Sequence, residues 1–160
     1  MTTTSRSIAA LAVFLVLSFT ASAIGGLFTY PAIPGWYQGL EKPSWTPPDA
    51  VFGPVWTVLY ILMAVAAWLV WKRGGWAAQR GPLMLWGVQL VLNSLWSILF
   101  FGMRNPALGL AEIVILWLAI LAALIAFWKV ARPAGGLMLP YLAWVTYASA
   151  LNFAIFRLNG

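Results

Sequence analysis

The chain contains no cysteine and no histidine among its 160 residues, and its only carboxylate side chains are Glu41, Asp49 and Glu112. The first absence rules out disulfides and thiol chemistry. The second removes imidazole general bases, Ser-His-Asp arrangements and zinc or haem held by histidine. Three acids are also too few for most hydrolytic and phosphoryl-transfer sites, so no metal site is expected. Charge is scarce overall, at 8% of residues, where an average soluble domain carries about 25%. The net charge of +6 comes from nine Lys and Arg, scattered singly or in pairs near segment ends. They form no basic face, which argues against nucleic-acid binding. They read instead as topology signals and lipid head-group contacts.

What fills the chain is apolar, 63% of residues. A soluble fold of this size has too little interior to hide that much apolar surface. The bilayer must be the solvent. Residues 1–160 have room for about five spans of ~20 residues each, so the expected fold is an all-α integral membrane protein. It is a single bundle of five transmembrane helices with a structured Pro/Trp-rich loop between the first two. The spans are expected near 8–29, 51–71, 82–103, 107–128 and 137–156, with the loop at 30–50.

The first span imitates a secretory signal, with Arg6, an apolar stretch and Ala21-Ser22-Ala23. The apolar run nevertheless continues to Phe28, which is spanning length, and an uncleaved helix is expected. Ser18, Ser22 and Gly26 place small residues every four positions, a spacing that suits close helix packing inside the bundle or at a dimer seam. The second span begins at Gly53-Pro54 with proline in its first turn, or earlier with Asp49 as cap. Pro82 opens the third, and Asn105-Pro106 marks a turn and restart. Arg6, Lys72, Arg73, Arg80, Lys129 and Arg132 fall on one side, and Lys42, Arg104 and Arg157 on the other. By the positive-inside bias the N-terminus is cytoplasmic and the loop faces outward.

Trp36 to Trp56 is the one long polar-leaning interruption. Its prolines at 43, 47, 48 and 54 stiffen it, and its aromatics at 36, 37, 45, 52 and 56 give it bulk, so it reads as a shaped lid. Eleven tryptophans are present, and several lie within spans, where an interfacial belt does not explain them. Trp86, Gln89, Asn93, Trp96 and Phe100 form one helical stripe. Phe52, Trp56, Tyr60 and Met63 form a second, and Pro140, Trp144, Ala148 and Asn152 a third. Gln89, Asn93 and Asn152 are costly toward lipid and should point inward. Two outcomes are open: plain interhelical hydrogen bonding, or a cavity lined by flat aromatics and a few polar groups. Pro140 should kink its helix and free a carbonyl. Glu112, the one acid inside a span, is a candidate site for proton-coupled export. It also reads as a simple hydrogen-bond acceptor.

These residues carry a resemblance. Trp36-Tyr37, Glu41-Lys42-Pro43-Ser44-Trp45-Thr46-Pro47-Pro48, and Val51-Phe52-Gly53-Pro54-Val55-Trp56 closely resemble the translocator protein family (TspO/MBR). Asn93 with Trp96, and Pro140 to Trp144 through Ala148, Leu151 and Asn152, match it in order. The resemblance implies a bacterial, multi-pass cell-membrane protein that forms homodimers. It also implies a pocket beneath the first loop for tetrapyrroles such as protoporphyrin IX, or for other flat apolar ligands of the benzodiazepine-site type, with no cofactor required. Trp36, Tyr37, Trp45, Pro47 and Trp56 would line the lid side. Asn93, Trp144 and Ala148 would line the helical side, joined by Trp96 and Asn152 from the stripes. The role implied is sensor, scavenger or transporter. The alternative it implies is light-dependent breakdown of porphyrin through Trp56 and Trp144. A macrocycle wants aromatic faces, and its propionates want cations, for which Lys42 and Arg157 are the candidates. Phe153 stands where the family's sterol pattern has tyrosine, so weak sterol binding is expected.

Overall fold

The computed structural model describes residues 2–160. Five helices run through it: α1, Thr3–Ala32; α2, Asp49–Trp71; α3, Gly75–Ser97; α4, Pro106–Val130; α5, Arg132–Asn159. All five are long and apolar enough to cross a membrane. In lipid every backbone polar group must be satisfied internally, and helices do this within each segment. The spans run longer than the expected cores because polar residues at each end continue the helix into the interface. α3, for example, starts at Gly75 and not at Pro82, but its backbone breaks at Gln79 with φ −114° and ψ 24°. Pro82 thus lies three residues past a kink, in a first-turn environment where its missing N–H is harmless.

α1 and α3 each end in a π-helical turn, Ile33–Tyr37 and Ile98–Gly102. The wider turn closes through bonds from the Gln38 amide to the Ile33 carbonyl (3.2 Å) and from the Met103 amide to the Ile98 carbonyl (2.8 Å). An extra residue per turn shifts the phase of the side chains that follow. Here it brings Trp36 and Tyr37 against Phe100 and Phe101, with the Trp36 ring 5.5 Å from Phe100 and the Tyr37 ring 5.6 Å from Phe101. The helix therefore continues through Pro31 and Pro34, and the lid proper is residues 38–48, shorter than the 30–50 expected.

The connections on the opposite side are short. Gly74 takes φ +118°, and a Cβ there would meet Ala78 at 2.7 Å, so this left-handed, crowded corner requires glycine. On the lid side, Asn105 caps α4, its side chain accepting from the Leu108 amide at 3.1 Å, with Pro106 at the first helical position. The α4–α5 pair has the most extensive helix contact. Ala64, Ala66 and Ala67 are fully buried on α2. Small residues let backbones approach, which matters in lipid, where packing replaces the hydrophobic effect as the force between helices. Pro140 is exposed on α5, which stays helical through it. It faces away from the bundle and forms no pocket wall.

Candidate functional site

The amides expected to point inward do so: Gln89, Asn93 and Asn152 are all buried. Asn93 bridges three helices. Its Oδ1 accepts from the Tyr60 hydroxyl of α2 at 2.5 Å, and its Nδ2 donates to the Tyr141 hydroxyl of α5 at 2.7 Å. Asn152 does the same one level outward. Its Oδ1 accepts from Trp96 Nε1 at 3.0 Å, and its Nδ2 donates to the Pro106 carbonyl at 2.9 Å. Polar side chains in lipid need such partners, and these two asparagines lock α2, α3, α4 and α5 in register. Gln89 lies deeper and, among the described residues, donates only to the Met63 sulfur at 3.8 Å.

Both open outcomes are realised together, because the network also floors a cavity of about 220 Å³. Of the expected site residues, Tyr37, Trp56, Asn93, Trp96, Trp144, Ala148 and Asn152 line it. Trp56 lies 5.6 Å from the Tyr60 ring and 6.2 Å from Tyr141. Trp96 stacks on Phe100 at 5.0 Å, and Trp144 meets Phe52 at 6.1 Å. Ala148, with no atoms past Cβ, leaves space beside these rings. The walls are flat and aromatic, with amide and phenol groups at one end.

Trp36, Trp45 and Pro47 are not among the lining residues. Trp36 inserts edge-on against Phe100 and Phe101 and backs the wall from outside. Trp45 is 45% exposed and packs its ring on Tyr147 at 5.6 Å. Pro47 is half-buried in the loop just before α2.

Residues missed by sequence reasoning come mainly from α1. Ser22, Gly25, Gly26, Thr29 and Tyr30 line the cavity, facing Gly53 and Thr57 of α2. Tyr30 and Thr57 are exposed, so the lining reaches the bundle surface in a slot between the two helices. The four-residue spacing of Ser18, Ser22 and Gly26 was the available signal. Within this chain Ser18 is fully buried, and Ser22 and Gly26, half-buried, line the cavity. Asp49 is a capping candidate by sequence alone. It is the first residue of α2, makes no cap bond, and lines the cavity mouth.

The lid is fastened to α5 at two places. The Asn159 side chain accepts from the Glu41 amide at 3.0 Å and donates to the Glu41 carbonyl at 2.9 Å. The Tyr147 hydroxyl donates to the Trp45 carbonyl at 2.5 Å. Lys42 is not a free cation for a ligand carboxylate. Its ammonium donates to the carbonyls of Tyr37 (2.7 Å), Leu40 (3.1 Å) and Gln38 (3.4 Å) and sits 4.8 Å from the Tyr37 ring centroid. A lysine closing the open carbonyls at a helix end is a common C-terminal device. Arg157 is exposed and lies outside the cavity lining. Glu112 is 5% exposed and neither carboxylate oxygen has a partner among the described residues. It is also absent from the lining, although its neighbours Ile113 and Leu116 contribute to it.

The sequence profile of the TspO/MBR family matches residues 12–158. The chain is 44% identical over 135 residues to the Tryptophan-rich protein TspO of Archaeoglobus fulgidus, covering 84% of this chain and 87% of the relative. It is 43% identical over 124 residues to the Tryptophan-rich sensory protein of Cereibacter sphaeroides, covering 78% and 77%. Against the Translocator protein of Homo sapiens it is 38% identical over 138 residues, covering 85% and 82%.

Proposed function

Because this multi-pass membrane chain belongs to the TspO/MBR family, we propose that it binds a flat tetrapyrrole such as protoporphyrin IX, or a similarly flat drug-like molecule, in the cavity beneath the lid. It acts there as a sensor, scavenger or transporter, with the N-terminus cytoplasmic and the lid outward. The names of two relatives, a sensory protein and a translocator, support this class of role. The observation that carries the reading is the cavity itself: Trp56, Trp96 and Trp144 around the Tyr60–Asn93–Tyr141 bonds. Aromatic walls with a few fixed polar groups suit a planar, mostly apolar ligand. At about 220 Å³ the cavity, though it reaches the surface at the α1–α2 slot, is below the ~300–1,000 Å³ of typical ligand sites. A macrocycle therefore enters only when the lid or the α1–α2 slot opens.

Titrating protoporphyrin IX into the purified protein should quench tryptophan fluorescence saturably. Trp56→Phe combined with Trp144→Phe should weaken binding about tenfold, since aromatic pairs contribute ~0.5–1.5 kcal/mol each. Binding that never saturates, or that ignores both substitutions, excludes this cavity as the site.

The position of Trp56 and Trp144 on the cavity wall also favours light-driven oxidation of a bound porphyrin by oxygen, with an indole as the electron-rich neighbour. Under illumination, the porphyrin absorption bands should then fade faster with this protein than with the double phenylalanine variant loaded to equal occupancy. Equal fading leaves a binder without photochemistry. Export driven by Glu112 finds no comparable support, because the carboxylate does not reach the cavity.

A further inference from the structure

The charge at the cavity mouth has the opposite sign from what a porphyrin diacid requires. A porphyrin seated between Trp56 and Trp144 would bury its apolar ring there and leave its polar edge for the mouth, where Asp49 is exposed. The one formally charged residue among the lining residues is Asp49, which is exposed there. Among the described residues its single side-chain bond is a long one, 3.4 Å from Gln38 Nε2 to Oδ2. The nearest cation in the lid, Lys42, lies on the Tyr37 ring with its ammonium turned to three backbone carbonyls. The positive end of α2 would by itself attract an anion, but Asp49, as first residue of that helix, already occupies this field.

Resting on the tetrapyrrole reading of the cavity, we propose that Asp49 is a specificity-determining residue that makes the site discriminate against dianionic rings. The ligands it favours are flat macrocycles or polycyclic molecules whose edge is uncharged or carries a cationic amine.

The test compares protoporphyrin IX, its dimethyl ester and a diamine derivative of the same ring, each titrated by tryptophan quenching against the unmodified protein, Asp49→Asn and Asp49→Lys. The ester partitions more strongly into detergent or lipid whatever the protein does. The readout is therefore the ester-to-diacid affinity ratio in each variant relative to the unmodified protein. Removing one exposed charge should lower that ratio about threefold to tenfold, and reversing it should lower it further. The diamine should lose affinity in the same order. The differences should shrink when salt is raised to about 0.5 M. Ratios that stay constant across the three proteins overturn the role of Asp49 while leaving the cavity intact. Loss of saturable binding for all three rings in the unmodified protein instead overturns the tetrapyrrole reading. Because Asp49 is exposed and caps nothing, circular dichroism of both variants should match the unmodified protein.

Discussion

Gly109→Val should lower the thermal midpoint of the protein in detergent by on the order of 10 °C. α4 crosses α3 and α5 at this glycine. A Cβ built there would lie 2.9 Å from Phe100 Cδ2, 3.0 Å from Asn152 Oδ1 and 3.1 Å from Phe100 Cβ. None of these neighbours can retreat freely. Phe100 is packed between Trp36, Trp96 and Phe101, and Asn152 is held by Trp96 and the Pro106 carbonyl. Overpacking costs roughly 1–3 kcal/mol, and each interhelical hydrogen bond lost in lipid adds about 0.6–2 kcal/mol. A total near 3 kcal/mol corresponds to about 6–12 °C in a chain of this size. Gly136→Ala is the matched control. A Cβ at Gly136 meets nothing within 4 Å, so alanine should leave the midpoint unchanged or raise it slightly, as helix interiors favour alanine over glycine by about 0.5–1 kcal/mol. Equal midpoints for Gly109→Val and Gly136→Ala, read by circular dichroism, would refute the packing role given to Gly109.

The number and order of helices were legible because lipid leaves the chain few options. An uncharged run of spanning length becomes a helix. An amide within it must turn from lipid, and so the stripe from Trp86 to Phe100 identified the inward face of α3 without any knowledge of its partners. Features set by meetings between distant residues were not legible. Asn159 and Glu41 are separated by most of the chain, and nothing local announces that one clamps the other. Lys42 looked like a ligand cation because its role depends on where the last carbonyls of the preceding helical turn point. The lid, expected from residue 30, begins later because α1 itself runs through Pro31 and only Pro34, a residue type that removes an ordinary helical hydrogen bond, needs a different turn. The π turn closed by Gln38 and Ile33 carries the helix past it. Gly109 and the α1 face drew little notice for a related reason. Small residues signal close approach, but not whether the thing approached is a helix, a second copy of the chain or an open cavity.

The way into the cavity is where these long-range contacts bear on function, and here the expected effect is kinetic. Tyr147→Phe combined with Asn159→Ala should speed porphyrin dissociation about 10- to 100-fold. Together the two substitutions remove the three hydrogen bonds that fasten residues 41 and 45 to α5. The Trp45 ring keeps its aromatic neighbour at position 147. Each bond contributes a net ~0.5–1.5 kcal/mol, and if the lid must lift before a ligand leaves, that loss appears directly in the barrier to release. Stopped-flow displacement measures the rate, and amide exchange across residues 40–47 of the ligand-free protein reports lid opening independently. Faster exchange with faster release establishes exit beneath the lid. Faster exchange with unchanged release moves the route to the α1–α2 slot, where the small residues Ser22, Gly26, Gly53 and Thr57 offer the least resistance to a flat ring arriving from the bilayer. The absence of native cysteine makes the converse test clean. With Glu41→Cys and Asn159→Cys joined by a short bifunctional thiol reagent, a lid route should close in both directions, whereas a slot route should continue to exchange ligand with the membrane.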